Sequence, residues 1–449
     1  MINRKLLYSF FFLTCLLFNH LNAQIYPDQN FVLRIDSIKA KIVYSEGIKL
    51  SDDGKSIALQ DNSLEGYFIL KEQSSPNPFN QGLPSWNGKA NGDCGFKVQM
   101  RFPYNNDWSP WLTVGYWQKN IWADYGSTSY TGGYIDYDNV KLNSYQTKWQ
   151  FKVILSRTLL SSVSPTIYKL GFYVSDSRTT SNVNISQIVN DNPSAIFIPT
   201  SFIYQIGVDS KIGPDICSPT TVSMILRSYN ISVDPYQFAL STYDPYFKMF
   251  GIWPRVVQNA AEFGLDGSVT RYRTWSEAKK ILENGGRIAM SIGQPLYTGH
   301  LLMLAGFTID GKPIVHDPAK SYGQSYVYDK TSLSQAWFNK GGVAYTFYPT
   351  SNIVAVENSV LPSSFELFQN YPNPFNPTTT IKYQINSIEF VSLKVFDALG
   401  QEIITLVNEN KLPGIYSVRF DGSNLSGGVY FYRLQAGSFY QTKKLVLLK

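Results

Sequence analysis

From about residue 30 to residue 185 apolar side chains recur at every second position. Phe96, Val98, Met100 and Phe102 form one such series, Trp149, Phe151, Val153 and Leu155 a second, and Tyr168, Leu170, Phe172 and Val174 a third. Neighbouring residues of a strand face opposite sides, so this period predicts half-buried antiparallel strands. Turn-forming clusters, Asn91-Gly92-Asp93 and Thr131-Gly132-Gly133 among them, separate the series. No helical period interrupts them, and an N-terminal antiparallel β-sandwich is the expected fold of residues 24–185.

The pattern changes at residue 186. Val222, Ile225 and Leu226 follow Cys217 at helical spacing, and a second helical stripe runs from Trp275 to Leu282 before the stop signal Asn284-Gly285-Gly286. Short apolar strands are expected at residues 288–292, 301–307 and 314–316, a helix at 331–338 and a further strand at 343–348. Residues 186–350 therefore read as an α+β domain. A polar linker follows at 351–365. Strands from Thr379 to Leu448, with turns at Leu399-Gly400, Asp421-Gly422 and Ser426-Gly427-Gly428, predict a second, smaller β-sandwich at 366–449.

A chain of 449 residues has room for several such modules. Its start sets the compartment: Arg4 and Lys5 precede an apolar run from Leu6 to Phe18, and Leu21-Asn22-Ala23 offers small-residue cleavage. Residues 1–23 read as a secretory signal peptide, and the mature chain is expected to have no membrane span. A net charge of +6, with basic residues scattered between strands, argues against a nucleic-acid partner. Trp108, Trp111, Trp117 and Trp122 lie close together; packing accounts for such rings more often than stacking on sugars does.

Removal of the signal leaves two cysteines, Cys94 and Cys217. They could pair, as secreted cysteines commonly do. Cys217 invites another reading, because Pro219 suits a first helical turn and places the thiol where backbone N–H groups favour an anion. Asp215 opposes this by like charge unless it points away. His300, in Gly299-His300-Leu301-Leu302, supplies an imidazole that can stabilise a thiolate and protonate a leaving amine. Asp317 is the expected orienter of His300. Its neighbour His316 points to the opposite face of an extended strand and reads as structural.

The sequence leaves the hairpin register open. A two-residue turn at Asp310-Gly311 would set Asp317 opposite Leu304, whereas a wider loop pairing Gly306 with Gly311 would set it opposite His300, and Gly306 could instead host a bulge. For the oxyanion, the Cys217 N–H and the side-chain amide of Gln205 are the candidate donors. Zinc held by Cys217, His300, His316 and Asp317 is disfavoured, since no close-spaced ligand pair is present. No metal and no cofactor is expected.

At these residues the chain resembles the papain-like cysteine peptidases of the double-glycine leader-processing type, in their secreted, stand-alone form. Cys217-Ser218-Pro219-Thr220 is similar to the family's nucleophile box, and Gly299 through His316-Asp317-Pro318-Ala319 to its His-to-Asp hairpin. The resemblance implies Cys217 as nucleophile, His300 as base, Asp317 as orienter and Gln205 as the oxyanion glutamine. Leu83-Pro84-Ser85-Trp86-Asn87 and Trp108-Ser109-Pro110-Trp111 are similar to the β-rich region that accompanies this domain in secreted relatives. Phe368 to Thr379, Val395 to Gly400 and Gly427 to Tyr432 resemble the type A sorting domain of the type IX secretion system. That implies contact of residues 366–449 with the secretion machinery of a Gram-negative bacterium, then release or attachment to surface polysaccharide.

The combined expectation is a secreted, multidomain cysteine peptidase-like hydrolase that cleaves a peptide or amide bond in a peptide or protein substrate through a Cys-His-Asp triad. A non-catalytic surface protein that binds a peptide or glycan on the same scaffold is the alternative. Acyl transfer to an amine would use the same three residues. A perturbed thiol separates catalysis from binding.

Overall fold

The computed structural model describes residues 25–118, 121–350, 364–385, 389–411 and 414–448. The expected signal peptide and most of the expected linker lie outside the described residues. The protein is mostly β-sheet, with several sheets and a few helices. Contacts divide it into two compact units. One takes Met1–Asn184, Leu240–Arg271 and Phe338–Thr346, and the other Ile185–Ala239, Tyr272–Trp337 and Phe347–Lys449.

Long antiparallel strands build the first unit, chiefly Gln73–Lys89, Cys94–Arg101, Asn139–Arg157 and Thr166–Ser175. Val153 pairs with Val98 and Phe151 with Met100. Paired residues share a face of the sheet, so both alternating series enter one core together. The third series keeps Leu170, Phe172 and Val174 in the same core and departs from expectation only at Tyr168. Ile167 is buried and Tyr168 is not, because the register slips between Ile167 and Lys169. The bulge turns Lys169 inward, where its ammonium is held by the Asp266 carboxylate, by the Gly267 carbonyl at 2.7 Å and by Ser268 Oγ at 2.8 Å.

A short helix, Ile35–Lys41, also interrupts the expected run of strands. Ile35 and Ile38 from the helix and Ile42 just after it meet the core at three- and four-residue spacing, too few residues to register as a period. Of the clustered tryptophans, Trp117 is buried and donates to Glu262 Oε1 at 2.9 Å. Trp108 and Trp111 flank the Arg101 guanidinium at 5.1 and 4.5 Å, and the Lys97 ammonium lies over Trp122 at 4.7 Å. Packing and cation–π contact therefore occupy these rings.

The helix Trp253–Glu262 packs in this unit through Val256, Val257, Ala260 and Ala261. Its Gln258 amide exchanges two hydrogen bonds with the backbone of Gly88, at 2.9 and 3.0 Å. Asp138 caps its start, accepting the Trp253 N–H at 2.8 Å. Burial raises the Asp138 carboxyl to about 7, with the Trp253 bond opposing, nearby Asp136 adding to the rise and Lys340 reducing it. Between about pH 4 and pH 7 the folded chain thus holds a proton that the unfolded chain has lost. The stability that the Asp138 carboxyl contributes must fall across that window. Asp138→Asn, which can still accept the Trp253 bond, should match the natural protein near pH 4 in thermal melts. It should gain on it by about 1.4 kcal/mol per pH unit up to pH 7.

In the second unit the strand His300–Phe307 is central, pairing with Arg287–Ile292, Ile196–Phe197 and Pro313–His316. The helices Cys217–Arg227, Trp275–Glu283 and Lys330–Phe338 fall close to their expected bounds. Residues 366–448 form a three-stranded and a four-stranded antiparallel sheet. Ile381, Tyr383, Leu393, Val395, Tyr432 and Leu434 belong to one buried cluster there. Tyr432 Oη donates to the Phe368 carbonyl and accepts from the Asn370 N–H, each at 2.8 Å, which fastens the first residues of this region to its core.

Candidate active site

Cys217 is the first residue of its helix, and the Ile216 carbonyl already accepts the Thr220 N–H at 3.0 Å. The N–H groups of the first turn have no partner within the helix, which makes this end favourable for negative charge. Residues 218–226 are all buried, whereas Cys217 is half-buried and its thiol is free, as is that of Cys94. Thr221 Oγ1 donates to the Leu301 carbonyl at 3.0 Å and ties the helix to the strand that begins with His300. Asp215 lies exposed in the preceding turn, Gly213–Asp215.

His300 is 4% exposed. Its Nε2 stands 2.7 Å from Asp317 Oδ1, so Nδ1 is the nitrogen left for Cys217. Burial pulls the imidazole pKa down, but hydrogen bonds to Asp317 and Cys217 outweigh it and raise the group to about 9. Asp317 is buried and accepts four donors: His300, the Ala319 N–H at 3.0 Å, Tyr297 Oη at 2.8 Å and Tyr328 Oη. Burial alone would raise its carboxyl; the bonds to His300, Tyr328 and Tyr297 bring it down to about 2.

The register that permits this lies between the two simplest expectations. Phe307 pairs with Pro313 and Gly306 with Ile314, then the pairing slips so that Leu304 meets Val315 and Met303 meets His316. Gly306 hosts the irregularity at φ 154°, where a Cβ would lie 2.0 Å from the Ile196 carbonyl oxygen. The strand ends at His316, and Asp317 begins a tight loop in which its N–H donates to the Gly323 carbonyl at 2.9 Å. A side chain at 323 would collide with the Asp317 carbonyl, its Cβ only 1.9 Å away, so this glycine lets the loop close around the carboxylate.

Gln205 is buried beside the turn that precedes Cys217. Its Nε2 donates to the Gly213 carbonyl at 2.7 Å and approaches the Pro214 carbonyl at 3.4 Å, while its Oε1 is buried without a hydrogen-bond partner. The Gln205 N–H donates to the Pro318 carbonyl at 2.9 Å, joining this segment to the residue after Asp317. His316 points away from the site. Its Nδ1 accepts the Ser325 N–H at 2.9 Å, its Nε2 has no partner, and burial lowers it to about 4, so the ring is neutral.

Cys217, His300 and Asp317 are thus brought together, and Gln205 lies near the Cys217 helix start. Sequence reasoning missed Tyr297 and Tyr328. Three residues before His300 and eleven after Asp317, they carry no periodic or motif signal that would single them out from 31 tyrosines. Among the described residues there is no group of three or more His, Cys, Asp or Glu side chains able to hold a metal.

Three family models match parts of the chain. Residues 197–345 match the Peptidase_C39 like family, residues 49–175 the Peptidase C39 N-terminal domain and residues 369–448 the secretion system C-terminal sorting domain. These matches support a cysteine peptidase-type hydrolase. The sorting domain marks the chain for type IX secretion to the cell surface or the exterior, and no helix among the described residues is long and apolar enough to cross a membrane.

No curated protein matches the chain. Among solved structures, PorZ of Porphyromonas gingivalis, a surface component of the type IX secretion system, is 13% identical over 33% of this chain and 21% of its own, with a TM-score of 0.16. Dimeric latent PorU of the same organism is 12% identical over 93% of this chain and 34% of its own, with a TM-score of 0.17. A Faecalibacterium prausnitzii β-glucuronidase is 7% identical over 94% of this chain and 47% of its own, at 0.15. The chain spans less than half of each, and at such scores the likenesses carry no argument.

Proposed function

We propose that this is an exported cysteine peptidase in which Cys217, His300 and Asp317 cleave a peptide or amide bond. The observation that carries the reading is His300, fixed by Asp317 at 2.7 Å through Nε2 and turned to the Cys217 helix start through Nδ1. In this mechanism the Cys217 thiolate attacks the carbonyl carbon. The oxyanion is met by the Cys217 N–H and by Gln205, whose second amide N–H is only weakly held at 3.4 Å. The His300 imidazolium gives its Nδ1 proton to the leaving amine as the C–N bond breaks, leaving an acyl-thioester on Cys217. Neutral His300 then takes a proton from water, which attacks the thioester and restores the ion pair.

Around this centre the proposed organisation is a signal peptide at 1–23, a β-sandwich at 24–185, a papain-like domain at 186–350, a linker at 351–365 and a small sorting sandwich at 366–449. Release or attachment to surface polysaccharide would follow export. The chemistry is tested with a peptide library and mass spectrometry of the quenched enzyme, which should reveal an acyl adduct on Cys217. Because the leaving amine needs the His300 proton, kcat/KM should fall as pH rises through about 9. A rate still climbing at pH 10 would contradict the assignment of His300 as the acid.

A further inference from the structure

Two phenols converge on the oxygen of Asp317 that His300 does not use. Tyr297 Oη lies 2.8 Å from Oδ2, Tyr328 Oη also bonds it, and the two hydroxyls are 3.3 Å apart. Each phenol has one proton. With both directed at the carboxylate, neither is left for the other. Tyr297 has a second contact, its ring centroid 4.2 Å from that of His300 with the planes 34° apart. Tyr328 is supported from its own loop by the Tyr326 ring at 4.6 Å and by the Lys320 ammonium, 5.7 Å from the Tyr328 centroid.

We infer that Tyr297 and Tyr328 are positioning residues: their hydroxyls fix the rotation of the Asp317 carboxylate so that Oδ1 faces His300, and the Tyr297 ring limits the tilt of the imidazole toward Cys217. The inference rests on the triad reading above. The hydroxyls also set how firmly Asp317 holds the His300 proton, because a carboxylate that shares its charge with two phenols attracts an imidazolium less strongly. Loss of one phenol concentrates charge on Asp317. The imidazolium then becomes a weaker acid toward the leaving amine.

Tyr297→Phe and Tyr328→Phe keep the rings and remove only the hydroxyls. Each should lower kcat about tenfold with KM changed less than about twofold, the pattern of a group that acts on the transition state. The decisive readout needs no substrate: the ring protons of His300 are followed by NMR against pH, with His300→Ala identifying the resonance. The natural protein should titrate near 9 and each phenylalanine variant higher, by about half a pH unit. Restoration of the tyrosine should restore the value. A titration and a kcat both unmoved in both variants, with the natural protein still near 9, overturn the positioning role and leave the triad standing. A natural protein titrating near the ordinary histidine value removes the triad reading instead.

Discussion

Replacement of Cys217 by alanine should abolish the proposed turnover, with kcat/KM lowered about a thousandfold or more, and His300→Ala should do the same. The two losses should not add, since thiolate and imidazolium act as one unit. The folded state survives both. Cys217 is half-buried at a helix start, so losing its sulfur opens little space. His300→Ala leaves Asp317 with three of its four donors, Tyr297, Tyr328 and the Ala319 N–H. Thermal melts alongside assays on a cleaved peptide check both parts; turnover retained in either variant would remove that residue from the chemistry.

Asp317→Asn should produce the second large loss, about a thousandfold to ten-thousandfold in kcat. The neighbouring donors dictate why. Tyr297 and Tyr328 both donate to Oδ2 and the Ala319 N–H donates to Oδ1; with the two phenols holding the amide oxygen of an asparagine on their side, its NH2 faces His300 Nε2 at the cost of the Ala319 bond. A donor there makes Nε2 an acceptor and moves the ring proton to Nδ1, the tautomer that cannot take a proton from the Cys217 thiol. The opposing burial is then no longer outweighed, and the His300 pKa should fall well below 9. Kinetics combined with the NMR titration measure both effects. A variant with near-natural kcat would show that Asp317 is dispensable.

Much of this was legible in the chain. The strand period of Phe96 to Phe102 and Trp149 to Leu155 reports a real core face, and Pro219 with the apolar stripe after it reports a real helix start at Cys217. The illegible parts are those where one local irregularity decides. A bulge between Ile167 and Lys169 takes Tyr168 out of an alternation that reads cleanly on paper and that Leu170, Phe172 and Val174 keep. The slip at Gly306 cannot be distinguished in sequence from a wider turn, yet it settles where Asp317 falls. The helix Trp253–Glu262 went unread, and its cap comes from Asp138, 115 residues earlier. The tyrosine contacts on Asp317 are likewise tertiary: a loop closed at Gly323 brings Tyr328 back to the carboxylate, and no spacing rule encodes that return.

The proposed Cys217–His300 ion pair is tested most directly by alkylation in a Cys94→Ser background, comparing iodoacetate with iodoacetamide across pH. An imidazolium beside the sulfur attracts the anionic reagent. The iodoacetate-to-iodoacetamide rate ratio should therefore be high at neutral pH, fall as pH rises through about 9, and be low at every pH in His300→Ala. A ratio that is flat with pH and unaffected by His300→Ala would contradict the ion pair, and with it the catalytic reading of this site.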